Sequence, residues 1–237
     1  AEGLLPAIVF IFSRQGCDTA VGQLASSGLR LTTPKERGAL AEIASRHTAG
    51  LSPSDLAALE YDRFLAAFTD GIAAHHAGLL PAFKEMVEEA FGAGLVKVVF
   101  ATETLALGIN MPARSVVLEK LVKYNGETHA DITAGEYTQL TGRAGRRGID
   151  VEGHAVVCWQ AGLEPRAVAG LASRRTYPLR SSFQPTYNMA VNLVATVGRE
   201  RARGLLEQSF AQYQSDRSVV GLAHSIAANR ARIADEW

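Results

Sequence analysis

The segment Gln139-Leu140-Thr141-Gly142-Arg143-Ala144-Gly145-Arg146-Arg147-Gly148 packs three arginines and three glycines into ten residues. Arg143 and Arg146 are three apart, so on a helix they share one face. Two guanidiniums on one face can fork onto the oxygens of a single phosphate group. The small residues Ala144 and Gly145 let the backbone approach whatever the arginines hold. A solvated basic turn has the same composition, so spacing alone leaves both readings open.

Upstream, the apolar run Val96-Lys97-Val98-Val99-Phe100-Ala101 reads as a buried strand. It opens into Thr102-Glu103-Thr104, then Gly108, then Asn110-Met111-Pro112. A strand running into hydroxyls, Gly and Asn-x-Pro is a strand-end loop of an α/β sheet, where ligands bind. The hydroxyls of Thr102 and Thr104 suit a nucleic-acid phosphate oxygen. Leu105, Leu107, Ile109 and Met111 read as core or wall packing. Ser13-Arg14 forms a second polar turn after the apolar run Ala7 to Phe12. His75 and His76 are adjacent on an expected strand, so they point to opposite faces and cannot easily share one ion. No metal site is expected. Cys17 and Cys158 are too few for a disulfide scaffold or a zinc site and read as buried thiols.

Ala101 to Ala113 (ATETLALGINMPA) and Gln139 to Asp150 (QLTGRAGRRGID), in this order, resemble motifs five and six of the superfamily 2 helicases. Their wording is similar to that of the Ski-two-like family, which includes Mtr-type and HelY-like proteins. The resemblance implies the second RecA-like domain of a helicase core. It implies a catalytic set of Arg143, Arg146 and Gln139, with the two arginines on the γ-phosphate of ATP and Gln139 on that phosphate or its water. Gly108 and Asn110 would face the nucleotide beside the same arginines. Ser13, Arg14, Thr102 and Thr104 would contact the nucleic-acid backbone. His76 falls in the family's HHAGL element, a loop-packing or phosphate contact. The implied cofactors are ATP and Mg2+, held mainly by a first RecA-like domain.

The chain has no Gly-Lys pair, hence no G-x-x-x-x-G-K-[ST] phosphate cradle, and no Asp-Glu-x-His motif. It does not begin with Met and reads as a piece of a longer protein. By itself it is expected to be inactive. The implied partners are single-stranded RNA in preference to DNA, the first RecA-like domain of the same polypeptide, and RNA-decay proteins. Glu103 supports RNA, since DNA-directed relatives tend to carry Pro there. Two alternatives stay open: a DNA helicase of related architecture, and a non-catalytic module that binds nucleic acid or partners.

The elements that must position these residues alternate. Strands are expected at Ala7 to Phe12, Gly71 to Ala74, Val96 to Ala101, Ser115 to Leu118 and His154 to Trp159. Helices start at Thr33-Pro34, Ser52-Pro53 and Pro81. Thr133-Ala134-Gly135-Glu136 has capping-box spacing for a helix carrying the arginine motif. Alternation argues for an α/β fold with a parallel, doubly wound sheet flanked by helices, and the resemblance makes it RecA-like. All candidate residues are expected at or near one rim of that sheet. After Gly162 the chain turns mostly helical. The expected domains are 1–162 (RecA-like), a linker 163–185, and 186–237, the start of a winged-helix domain. Its closing stretch spaces Val219, Leu222, Ile226, Asn229 and Ile233 as a coiled-coil seam.

Composition bounds the rest. The chain has 237 residues, 47% hydrophobic and 20% charged, which supports a packed core. No apolar run is long enough to span a bilayer, so no membrane partner is expected and the compartment reads as cytoplasmic. Lys plus Arg and Asp plus Glu both number 24, for zero net charge. A free-standing nucleic-acid coat would be more basic. Phosphate recognition must therefore be local, built from clustered residues and backbone amides.

Overall fold

A computed structural model describes residues 3–106, 110–124, 128–173, 183 and 185–215. Leu107, Gly108, Ile109, residues 174–182 and 184 of the expected linker and the expected coiled-coil seam lie outside the described residues. The chain divides into two compact units, Ala1–Arg175 and Thr176–Trp237.

The first unit runs β1 (Ala7–Phe10), α1 (Arg14–Ser26), α2 (Pro34–Thr48), α3 (Pro53–Ala58), α4 (Tyr61–Thr69), β2 (Ile72–His75), α5 (Pro81–Gly92) and β3 (Val98–Ala101). A short 3-10 turn, Glu103–Ala106, follows. Then come β4 (Ser115–Leu118), β5 (Val122–Tyr124), β6 (His129–Asp131), α6 (Ala134–Thr141), β7 (His154–Val157) and α7 (Pro165–Ser173).

Five strands form one sheet in the order β2-β3-β1-β4-β7, every neighbouring pair parallel. Alternation along the strands divides their side chains between two faces. Ile8, Phe10, Ala73, Val99, Ala101, Val116 and Leu118 join the main core, with Phe68, Phe83, Met86, Val87 and Leu140 from the helices. Ile11 and Ala74 face the other way and pack on Cys17 of α1, with Val9 and Phe100 half-buried beside them. Helices on both faces make this a doubly wound α/β fold. Burial pushes the Cys17 thiol up to about 12, so it stays protonated and inert.

The helix starts are written locally. Thr33, Ser52 and Thr133 each accept from the backbone N–H three residues on. The acid there (Glu36, Asp55 or Glu136) accepts from the cap's own N–H in return. Pro34 and Pro53 occupy the first helical turn, where a missing N–H costs nothing.

The structure departs from the sequence reading at several points, among them Cys158, which is exposed rather than buried. Lys123 and Tyr124, which read as part of a surface loop after the fourth strand, belong to β5, and β5 pairs antiparallel with β6. The helix of the arginine motif stops at Thr141, so Arg143 and Arg146 lie in a loop and do not share a helical face. Gly145, with φ +88°, takes the left-handed conformation that ends any helical path there. The first unit also runs past residue 162, because Leu163, Val168 and Leu171 pack on the main core.

The second unit is helical where it is described. It holds α8 (Tyr187–Val197), capped by Thr186, and α9 (Arg199–Glu207). Gly198, with φ +80°, makes the turn between them. Among the described residues, no helix is long and apolar enough to cross a membrane.

Candidate functional site

Most of the candidate residues fall into two groups, one at each end of the sheet. β1, β2 and β3 end in register, with Phe10 and His75 both opposite Ala101. The turns beyond them therefore share one rim. Ser13 caps α1, its Oγ accepting from the Gly16 N–H at 3.1 Å. That leaves the hydroxyl proton free to donate outward, beside the exposed Arg14. The Thr102 and Thr104 hydroxyls lie 2.9 Å apart. Thr102 is only 8% exposed and Thr104 is exposed, so Thr104 presents the pair to solvent. Thr102 is fixed there by its N–H, which donates to the His75 carbonyl at 3.3 Å.

His76 is placed otherwise than a strand contact would need. It is 4% exposed. Its Nδ1 accepts from the Gly78 N–H at 3.2 Å, which assigns the ring proton to Nε2, 3.0 Å from Asp18 Oδ1. The ring ties the 76–78 turn to α1. His75 is buried as well, its Nε2 2.7 Å from Glu88. Burial pulls the His75 ring below its ordinary value, against the opposing effect of the hydrogen bond it donates to the Glu88 carboxylate. Its Nδ1 has no partner among the described residues.

The arginines sit at the opposite end of the sheet, not at the rim. α6 starts beyond the C-terminal end of β4 and runs back beside the sheet, so its last residues reach the level where β4 begins. There the Ala113 N–H donates to the Arg143 carbonyl at 2.9 Å, and the Gly145 N–H donates to the Ala113 carbonyl at 2.7 Å. This one-residue parallel bridge joins the end of the Thr102–Ala113 segment to the arginine loop. Arg143 Nη2 donates to the Ala106 carbonyl at 2.5 Å. Gly153 closes the loop: a Cβ there would stand 2.5 Å from Ala144 C and Gly145 N, so only glycine fits.

Arg146 is held by Asp150, a residue to which the sequence reading gave no role. Its Nε and Nη2 each donate to the carboxylate at 2.8 Å, and its backbone N–H donates at 2.9 Å. The Asp150 side chain is 2% exposed. The Arg146 guanidinium, helped by Arg114 at 3.8 Å, keeps the Asp150 carboxyl well below the usual carboxylate range. The signal was the spacing: an acid four residues after a motif arginine.

Gln139 is exposed on α6, one turn before Arg143, and borders a cavity of about 90 Å3 with Glu103, Ala106 and Lys123. Lys123 Nζ lies 2.7 Å from Glu136 and 3.9 Å from Glu103, joining the hairpin, α6 and the 3-10 turn. Burial pushes Glu136 up, but Lys123 and the Thr133 cap outweigh it and leave the carboxyl below its ordinary value. Asn110 is exposed. Among the described residues no three His, Cys, Asp or Glu side chains cluster as metal ligands.

The helicase conserved C-terminal domain family matches residues 53–148, from α3 through Arg146. The chain is 66% identical over 226 residues to probable helicase HelY of Mycobacterium tuberculosis, covering 95% of this chain and 25% of that protein. It is 37% identical over 221 residues to the human exosome RNA helicase MTR4, covering 93% of this chain and 21% of that one. With human superkiller complex protein 2 the identity is 39% over 212 residues, covering 89% of this chain and 17% of that one. The chain thus spans a quarter or less of these relatives' length. It carries a helicase C-terminal domain and belongs to the Ski-two-like family of superfamily 2 helicases.

Proposed function

We infer that this chain is the second motor domain, with the start of a winged helix, of an ATP-dependent RNA helicase that translocates on single strands and unwinds RNA. The observation that carries the reading is the bridge of Ala113 to Arg143 and Gly145, which puts the strand-contact segment and the phosphate-contact loop into one backbone unit.

A phosphoryl-transfer transition state spreads negative charge over the γ-phosphate oxygens, and arginines placed around it stabilise that charge. Arg143 and Arg146 supply two such groups on a loop held by backbone bonds. Gln139, Gly108 and Asn110 would complete the nucleotide contacts. The phosphate cradle would come from a first RecA-like domain of the same polypeptide, which would also hold most of the ATP and its Mg2+, while Arg143 and Arg146 would supply positive charge to the γ-phosphate. This chain alone binds nucleotide weakly and does not turn it over. At the rim, Ser13, Arg14 and Thr104 offer donors to a strand's phosphates, backed by the N-terminus of α1. The relative named as an exosome RNA helicase supports RNA as the strand and RNA-decay proteins as partners.

The test is ATP turnover by the full-length protein, wild type and Arg146→Ala, with single-stranded RNA or single-stranded DNA as activator. RNA-stimulated turnover that Arg146→Ala lowers by about three to five decades is expected. Stimulation by DNA alone would make it a DNA helicase. A wild type without turnover would leave a binding module.

A further inference from the structure

We propose that Asp150 is the positioning residue of Arg146, and that Arg114 restores the positive charge their pairing would otherwise cancel. This rests on the reading of Arg146 as a γ-phosphate contact and goes beyond the matched domain, which ends at residue 148.

A guanidinium has five N–H donors. Asp150 takes the Nε proton and one Nη2 proton, side-on. Both Nη1 protons and the second Nη2 proton remain, and these form the end-on fork that matches two phosphate oxygens. The clamp and the phosphate contact are therefore compatible, and Arg146 need not leave one to make the other. The turn that carries both residues is closed on itself: the Arg146 carbonyl accepts from the Ile149 and Asp150 N–H groups at 3.0 and 2.9 Å. Five residues thus fix the carboxylate and aim the guanidinium before any nucleotide arrives. That is pre-organisation of the kind that sets rate in electrostatic catalysis.

The clamp carries a penalty in charge. Arg146 and Asp150 together are neutral, and a neutral pair offers a fork with little net field to a multiply charged phosphate. Arg114 corrects this. Its Nη1 stands 3.8 Å from Asp150 Oδ1, the oxygen that also accepts from Arg146 Nη2. Two guanidiniums on one carboxylate leave a net charge of about +1. Backbone bonds hold Arg114 there: its N–H donates to the Pro6 carbonyl at 2.9 Å, and its carbonyl accepts from His154 at 3.0 Å. Its Nε is buried with no hydrogen-bond partner among the described residues, so no second acceptor draws off its charge.

The test uses the full-length protein and four variants: Arg146→Ala, Asp150→Asn, Arg114→Met and the double Arg114→Met/Asp150→Asn. Asp150→Asn should lower kcat by about 10- to 100-fold while KM for ATP changes little, since aim is lost and the nucleotide is held mainly elsewhere. Arg114→Met should lower kcat by about tenfold or more. In the Arg114→Met background, Asp150→Asn should cost a smaller factor than in wild type, because there it returns the cluster from neutral to positive. Equal factors in both backgrounds would overturn the role of Arg114. Wild-type kcat in Asp150→Asn, with or without a lower melting temperature, would overturn the clamp. Should Asp150→Asn not fold, Asp150→Glu keeps the charge on a longer arm, and kcat must fall in it at an unchanged melting temperature. If Arg146→Ala itself keeps full turnover, the reading of the site fails. If Arg146→Ala is dead and the other variants are not, only this inference fails.

Discussion

Replacing Gly153 by alanine should displace the arginine loop without touching an arginine. The new Cβ would stand 2.5 Å from Ala144 C and Gly145 N and 2.7 Å from Ala144 O. All three are backbone atoms, so no side-chain rotamer relieves the clash. Reaching even the short end of ordinary contact, 3.4 Å, takes 3.4 − 2.5, about 0.9 Å of movement. The loop cannot give freely, because Gly145 is bonded to Ala113 at 2.7 Å and Ala113 to Arg143 at 2.9 Å. Overpacking of this kind costs about 1–3 kcal/mol. In a unit of this size that lowers the melting temperature by about 2–12 °C. A misplacement near 1 Å of an oriented catalytic group costs about 100-fold in turnover. Gly148→Ala is the control: its φ is +79° and a Cβ meets nothing within 4 Å. It should cost about 1–2 kcal/mol of backbone strain and leave turnover near wild type. The measurements are thermal melting followed by circular dichroism and RNA-stimulated ATP turnover of the full-length protein. Gly153→Ala with wild-type melting and turnover would refute the close approach. Gly148→Ala as inactive as Gly153→Ala would show that lost stability, not displacement, governs the rate.

Three further outcomes are expected. Burial keeps the His75 ring below its ordinary value of 6.5, so the unfolded chain takes up that proton first as pH falls. Its contribution is complete above about pH 6.5 and lost below it, by at most about 1.4 kcal/mol per pH unit. His75→Gln should flatten urea-melt stability between about pH 6.5 and 5, before the carboxylates titrate, and an unaltered slope would assign the effect elsewhere. Arg14→Ala should weaken single-stranded RNA binding and reduce the slope of log affinity against log salt by about 0.7. Weaker binding at an unchanged slope would mean that Arg14 touches no phosphate. Thr133→Ala removes the box that opens α6 and should cost about 1 kcal/mol, or about 2–4 °C in melting temperature. An unchanged melting temperature would show the box to be idle.

The elements legible in the sequence were those governed by local rules. Pro34, Pro53 and Pro81 marked helix starts that the structure places at the same residues, and Ser115–Leu118 is a strand within the bounds read from its apolar run. Parallel strands buried on both faces read as continuous apolar runs, which made them visible. The hairpin was not legible. Val122–Tyr124 and His129–Asp131 are three residues each, without clear alternation, and their pairing is a tertiary outcome. The arginine loop was legible in composition but not in shape. Three-residue spacing implied a shared helical face, yet Gly145 leaves helical geometry and Gly153 must pass close by, a constraint set by a residue ten positions from Arg143. His76 was read as a motif element with two open roles. Burial and its partners Asp18 and Gly78, distant or local, are visible only once β2 and α1 pack together.

The separation of the two groups explains why the segment Thr102–Ala113 has to be one continuous element. Each strand of the sheet is four residues long, about 13 Å, so the rim and the arginine loop are a strand's length apart. The backbone spans that distance, and one long side chain, Arg143, reaches back along it. Thr102 is pinned at the rim through the His75 carbonyl, and Ala113 is pinned at the far end through Arg143 and Gly145. Between them the Arg143 guanidinium grips the Ala106 carbonyl, at the end of the turn that carries Thr104. Lys123 ties Glu103 of that turn to Glu136 of α6. A shift of the arginine loop therefore pulls on the turn that carries Thr104, through two backbone bonds at one end of the segment and one charged hydrogen bond at its middle. On the function proposed above, this is the link that joins nucleotide contact to strand contact: covalent connection along Thr102–Ala113, and a loop held against that segment's end by the bonds of Ala113 to Arg143 and Gly145.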